Sequence, residues 1–240
     1  MALNVIMMGP PGAGKGTQAG RFARERGLLK ISTGDILREG IKAQFPGAAN
    51  AKERMDRGEL VDDETMVTIV RARLSQPDTA RGFVLDGFPR TVGQAEALDL
   101  IVAERNDGPL IVVDVRVPER ELVRRLASRL ICSTCGANAE RPGEDPRSAV
   151  CGACGGSFVQ RTDDNDGVVR GRLAVYERAT KPLVAFYQQR PTFRVVNGAQ
   201  ALHIVARELD TVIDDAAAVG ATMEGAVAGN GASSARTARP

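Results

Sequence analysis

The chain has 240 residues, 43% of them hydrophobic and 26% charged, and a formal net charge of +2. That length suits one main domain with insertions around a sizeable core, and the balanced charge gives no global reason for a nucleic-acid or membrane partner. The opening "MALNVIMM" has no basic stretch before its apolar run, and no apolar run reaches the ~20 residues of a membrane span, so a cytoplasmic protein is expected, where structural disulfides are uncommon.

In chain order, "LNVIMMG" reads as a strand buried on both faces, because it is continuously apolar and ends in glycine. "GTQAGRFARERG" reads as a helix with Ala19, Phe22 and Ala23 on one face and Gly27 as its stop. "LLKIST", "GFVLDG", "PLIVVDVRV" and "FRVVNG" supply four more strands, with helical stretches between them. Alternation of strands and helices predicts an α/β fold: a five-stranded parallel sheet covered by helices on both faces, with ligands beyond the carboxyl ends of the strands. Two segments break the alternation. Residues 32–61 read as a small helical insertion, and residues 128–164 as a compact module that is Gly-, Pro- and charge-rich and holds all four cysteines. The core then comprises residues 1–31, 62–127 and 165–215. From Ala216 the chain is rich in Ala, Gly and Ser with almost no large apolar side chain, and a mobile tail is expected over 216–240.

"GPPGAGKGT", Gly9 to Thr17, lies between the first strand and the first helix. A glycine-rich turn there points backbone N–H groups and the positive end of a helix dipole at one spot, and Lys15 adds a full charge for the outer phosphates of a nucleotide. The general pattern has Ser or Thr after the lysine, to touch magnesium; here that place is Gly16, with Thr17 one residue on. The metal must then be held through phosphates, water and a carboxylate from elsewhere. Asp86, ending the strand "GFVLDG", is the first candidate, and Asp35 is a second.

"GPPGAGKGTQA", "ISTGDILR" and "LDGFPRT", in this order, resemble the adenylate kinase family, as do "QRTDD" and "RGRL" downstream. The resemblance covers about residues 1–215 and extends to the long form with an enlarged lid. In that family Gly follows the lysine, so Gly16 fits its pattern and speaks against a GTPase or an ATPase motor. The resemblance implies a P-loop three-layer fold and reversible phosphoryl transfer from ATP to AMP with Mg²⁺. It implies that Gly12, Ala13, Gly14, Lys15, Gly16 and Thr17 hold the ATP phosphates, that Arg129 contacts ATP at the lid's edge, and that the Gln200 backbone touches the adenine. Thr33, Arg38, Glu59, Leu60, Val61, Gly87, Phe88, Pro89, Arg90 and Gln94 match AMP-site positions in residues 32–61 and beyond. Arg161 and Arg172 match arginines that clamp the transferring phosphate.

Phosphoryl transfer needs positioning and charge neutralisation more than a covalent nucleophile. Lys15, Asp86, Arg90, Arg125, Arg129, Arg161 and Arg172 form the expected catalytic set, with Arg125 one of several arginines in "ERELVRRLASRL". The acceptor phosphate is already ionised, so no general base is required, and His203 is expected to be structural or on the surface. Gln94 can pair with an adenine edge through both its donor and its acceptor. Related UMP/CMP kinases carry Asn in place of Thr91 and of Gln94, so "RTVGQ" favours AMP.

Cys132 and Cys135 form one C-x-x-C pair and Cys151 and Cys154 another, a spacing that fits a closed tetrahedral Zn²⁺ site, with free thiols or two disulfides as alternatives. Zinc would stiffen a module too poor in apolar residues to fold on its own core. The lid departs from the family: Asn138 and Ala139 stand where Thr and Tyr are common, and Leu130 replaces an arginine. Two further readings are another nucleoside monophosphate kinase, using GTP or accepting onto UMP or CMP, and an ATP-binding regulator whose zinc module holds nucleic acid. The second predicts basic residues with stacking aromatics, and between Leu130 and Val159 the only aromatic is Phe158. The expected partners are ATP, AMP and ADP, with no nucleic acid or membrane, and the expected state is a monomer.

Overall fold

A computed structural model describes residues 2–44, 47–136, 138–139, 150–160 and 166–231, the side chains of 166 and 223–231 excepted. Five parallel strands form the central sheet in the order β2-β3-β1-β4-β7: β1 is Leu3–Met8, β2 Leu29–Ser32, β3 Gly82–Asp86, β4 Leu110–Arg116 and β7 Phe193–Asn197. These are the five apolar runs read from the sequence. The central strands β1, β3 and β4 are buried on both faces and need no polar alternation, which is why they stand out as nearly continuous apolar runs, while the edge strands β2 and β7 are only partly buried.

Side-chain alternation along β1 divides the core in two. Ile6 and Met8 face one side, where they pack with helices α4 (Asp63–Leu74), α5 (Val92–Arg105) and α8 (Pro182–Tyr187). Val5 and Met7 face the other, against α1 (Lys15–Arg26), α6 (Glu119–Ala127) and α9 (Leu202–Gly231). Phe22 of α1 and Tyr187 of α8, both fully buried, anchor the two layers. Gly27 ends α1 in the left-handed conformation, as its sequence position predicts.

The two irregular segments are built differently from the core. Between β2 and α4 lie α2 (Thr33–Lys42) and α3 (Ala48–Asp56). The cysteine segment contains the short antiparallel pair β5 (Leu130–Cys132) and β6 (Phe158–Gln160). After it, α7 (Asp166–Val175) leads into a single wide turn, Tyr176–Thr180, before α8.

One expectation is corrected by α9. Where a mobile tail is expected from Ala216, the helix runs on to Gly231, with Ala216 fully buried. A methyl group at Gly220 would stand 2.5 Å from Pro109 Cγ, so the helix passes directly over the start of β4. Alanine has the highest intrinsic helix propensity, and small side chains permit this close approach, so the composition that reads as mobile also suits a helix packed closely at Ala216 and Gly220. Residues 232–240 lie outside the described residues. Among the described residues, no helix is long and apolar enough to cross a membrane.

Candidate active site and metal centre

The carboxyl ends of β1, β2 and β3 open into a cleft of about 920 Å³. Its floor is the turn between β1 and α1. Gly14, at φ 88° in the left-handed region, precedes the first helical residue, Lys15, so the N-terminus of α1 faces the cleft. Lys15 Nζ donates to the Pro10 carbonyl at 2.8 Å, which holds the ammonium over the turn. Burial pushes its pKa down to about 8; Asp86 opposes the shift, and Arg90, Arg172 and Arg129 add to it. Four cations from four segments therefore act on one space.

Gly16 has a steric reason. A methyl group there would stand 2.9 Å from Asp86 Oδ2, so the carboxylate ending β3 occupies the place that a serine or threonine side chain would need. Asp86 also lies 3.9 Å from Lys30 Nζ.

On the other side of the cleft the segment Gly87–Gln94 is tied in place. Thr33 Oγ1 donates to the Gly87 carbonyl at 2.9 Å, and Arg90 Nε donates to the same oxygen at 2.8 Å. Gln94 accepts from the Arg90 N–H at 2.8 Å and donates to Asp63 Oδ1 at 2.7 Å. Thr180 Oγ1 donates to the Arg90 carbonyl at 2.9 Å, which links this segment to the turn after α7. Arg38 is hydrogen-bonded to Asp35; burial alone would raise the Asp35 pKa, but Arg38 and the Ser32 hydroxyl hold it below its usual range. The Arg172 stem lies against Gly58, where a methyl group would meet its Cγ at 2.8 Å.

Most of the expected residues share this cleft. Gly12, Gly14, Lys15, Gly16, Thr17, Thr33, Arg38, Glu59, Leu60, Val61, Asp86, Gly87, Pro89, Arg90, Gln94, Arg125, Arg129 and Arg172 all line it. Arg125 also donates to Glu121 at 2.7 Å and to the Gly198 carbonyl at 2.9 Å, so part of its fork is engaged in the fold. Ala13 and Phe88 are buried behind the lining. Gln200 is outside it, donating to Glu208 at 2.8 Å in the turn between β7 and α9. His203 is exposed on α9. Arg161 lies outside the described residues.

Sequence reasoning missed Lys30 and Asp63. A single lysine in a short strand looks like a solvent-facing position. Asp63 follows Asp62, which caps α4 by accepting from the Thr65 N–H at 2.8 Å, and an acidic pair at a helix start has that role as its ordinary explanation. Asn138 of the cysteine segment also lines the cleft, its amide 3.4 Å from Thr17 Oγ1.

The four cysteine sulfurs converge, all within 4.8 Å of one another. Cys132 and Cys154 are 3.4 Å apart and Cys135 and Cys151 3.6 Å, too far for disulfide bonds and close to the ~3.8 Å edge of a tetrahedron with metal–sulfur bonds of about 2.3 Å. The two turns mirror each other: Gly136 N–H donates to Cys132 O at 3.0 Å, and Gly155 N–H to Cys151 O at 2.8 Å. A methyl group on Gly156 would come within 2.8 Å of Cys132 Sγ, so the chain keeps the space around the sulfurs clear. The backbone N–H of Cys135 holds the Cys132 thiol well below its usual pKa. At Cys154 the Gly156 N–H pulls the pKa down, but the neighbouring sulfurs push it well above the usual range. The donor set fits a soft divalent cation, which would let all four sulfurs be thiolates at once. Among the described residues this is the one cluster of its kind.

A model of the adenylate kinase family matches residues 7–192. The chain is 44% identical over 216 residues to an adenylate kinase of Archaeoglobus fulgidus, covering 88% of this chain and 98% of that protein. It is 45% identical over 207 residues to an adenylate kinase of Carboxydothermus hydrogenoformans, covering 85% and 95%. It is 46% identical over 208 residues to an adenylate kinase of a Geobacillus species, covering 86% and 96%. With a P-loop cleft on a five-stranded parallel sheet, and with relatives matched almost end to end, the chain belongs to the adenylate kinase family.

Proposed function

We propose that the cleft transfers a phosphoryl group reversibly between ATP and AMP, giving two ADP. The observation that carries this reading is the convergence of Lys15, Arg90, Arg129 and Arg172 on one space between two separately built walls. Such a space suits two polyphosphate chains meeting end to end, with the cations neutralising the charge that the transfer spreads over the phosphate oxygens. On this reading Gly12 to Thr17 hold the donor phosphates. Residues 32–61 and the segment Gly87–Gln94 hold the acceptor, with Thr33, Arg38 and Arg90 nearest it. Arg125 and Arg161 complete the cationic set, and Gln200 meets the donor base through its backbone.

The acceptor needs no general base, because a phosphate is its own nucleophile at neutral pH. Asp86, with Thr17 nearby in the lining, offers hard oxygen ligands that fit a magnesium ion carried in on the nucleotide. When bound, that ion supplies charge neutralisation for the phosphate oxygens. The four cysteines hold a structural zinc ion in residues 128–164, which act as a lid that shields the reacting phosphates from water. The partners on this reading are ATP, AMP and ADP, bound by a monomer in a cytoplasm reducing enough to keep the cysteines available to metal.

The test is ADP formation from Mg·ATP with each of AMP, GMP, UMP and CMP, with metal content measured on the same sample. Fastest turnover with AMP and about one zinc per chain are expected. Faster turnover with UMP or CMP would overturn the acceptor assignment, and no transfer to any acceptor would overturn the enzymatic reading.

A further inference from the structure

Lys30 is the charged side chain of β2, and it lies in the cleft. Its stem crosses α1 where that helix carries two glycines one turn apart. A methyl group at Gly20 would stand 3.8 Å from Lys30 Cδ, and one at Gly16 would stand 3.8 Å from Lys30 Nζ. The two glycines thus leave a groove in the face of α1, and the lysine follows it to Asp86, ending 3.9 Å from Oδ2. The lysine and aspartate side chains are 30% and 16% exposed, so the pair sits in the wall of the cleft and is only partly screened by water.

Asp86 presents a difficulty that this arrangement resolves. An ionised carboxylate beside a phosphate-binding turn repels an incoming polyphosphate unless a cation offsets it. Lys15 also feels the Asp86 charge, but its ammonium is held by the Pro10 carbonyl over the turn, where the phosphates themselves need it. Lys30 approaches Asp86 along β2, from an element that contributes nothing to the turn.

We propose that Lys30 is a positioning residue that neutralises and orients Asp86 while no metal is bound, and competes with magnesium for that carboxylate. The proposal rests on the nucleotide reading of the cleft and adds to it the residue that sets how strongly binding depends on metal. A divalent cation at Asp86 meets the Lys30 ammonium as a like charge, so the lysine has two effects of opposite sign. It favours ATP in the absence of metal and disfavours the ion when it arrives.

The experiment is calorimetric binding of ATP to the full-length chain, in EDTA and in excess Mg²⁺, for the wild type, Lys30→Gln and Lys30→Arg, with Tm measured for each. Lys30→Gln is expected to weaken metal-free ATP binding by about tenfold and Mg·ATP binding much less, so that the ratio of the two dissociation constants widens. Lys30→Arg, which keeps the charge, is expected to restore the ratio toward the wild-type value. Equal losses in both conditions, with or without a lower Tm, would mean a merely structural lysine and overturn the proposal, as would no change in either. Failure of the wild type to bind ATP in both conditions would instead overturn the nucleotide reading beneath it.

Discussion

Gln94 and Asp63 are joined side chain to side chain at 2.7 Å, while the other end of the Gln94 amide accepts from the Arg90 N–H at 2.8 Å. Gln94 is 2% exposed, so its orientation is fixed before any ligand arrives. One N–H and one lone pair remain for an adenine edge. Asp63 also accepts from Thr91 Oγ1 at 2.6 Å, so one carboxylate holds both residues that the sequence associates with the acceptor base. Asp63→Ala is expected to raise the KM for AMP by about tenfold with a smaller change in kcat, because the amide then keeps only its bond from the Arg90 N–H and its buried NH2 end loses the partner that orients it. Asp63→Asn, which keeps an acceptor, should recover part of the loss. Steady-state kinetics with AMP varied would check this, and an unchanged KM in the alanine variant would contradict it. Asp62 still caps α4 in both variants.

Restoring the hydroxyl that the general phosphate-loop pattern asks for should harm this chain. Gly16→Ser places its Cβ 2.9 Å from Asp86 Oδ2, closer than real Cβ contacts come, so the carboxylate or the first turn of α1 must move. Displacements of about 1 Å at a reacting centre cost on the order of 10²-fold in rate, and a loss of that order in kcat/KM for Mg·ATP is expected. A variant as active as the wild type would show that Asp86 does not need its observed position.

The same two residues show how much was legible beforehand. Gly16 looked anomalous against the general pattern and was explained by family likeness; the structure adds the steric reason, which no sequence window contains because Asp86 lies 70 positions away. The central strands β1, β3 and β4 were legible because burial on both faces writes itself as a nearly continuous apolar run, and the edge strands β2 and β7 by their apolar residues and their place between helical stretches. The phosphate turn, the Gly87–Gln94 segment and the cysteine pairs were legible because their chemistry depends on spacing along the chain. Lys30 and Asp63 were not, since each acts through a partner on another element and looks alone like an ordinary strand or cap residue. Helix α9 extends past Ala216 into the stretch expected to be a mobile tail, because Ala- and Gly-rich composition is shared by such tails and by helices packed at close range, and at Gly220 the contact with Pro109 separates the two.

Lys15 should make nucleotide binding depend on pH in a definite direction. Its pKa is held down to about 8 in the free protein, against 10.5 for an exposed lysine, so between those values the folded state carries fewer protons than the unfolded one. Stability therefore rises with pH across that window, and the cost of the buried ammonium is fully present below it. Bound phosphates favour the charged form and raise the pKa again, so binding takes up protons and affinity falls as the pH climbs above 8. At pH 8.5 an uptake of roughly three-quarters of a proton is expected on ATP binding. Calorimetry in two buffers of different ionisation enthalpy would measure it, with Lys15→Met as the control in which that uptake disappears. An uptake equal in the two proteins would exclude Lys15 as its source.

On the zinc reading, the four-cysteine cluster should matter for stability before it matters for nucleotide chemistry. Among its described residues the cysteine segment has one short two-stranded sheet and few buried apolar side chains, Cys132 and Cys151 among them, so a cation is the strongest tie available to its two turns. Cys151→Ser removes one of four ligands and leaves three sulfurs, too few to close a tetrahedral shell around a cation. A loss of about 2–5 kcal/mol is expected, a fall in Tm of roughly 5–15 °C for a chain of this size, together with loss of bound zinc. A strong chelator should bring the wild type to the same Tm and leave the variant unchanged. ATP affinity should change much less than in Lys15→Met, because the phosphate turn is built on β1 and α1 and shares no ligand with the cysteines. Unaltered melting after the loss of Cys151 would show that the four sulfurs converge without holding the segment together.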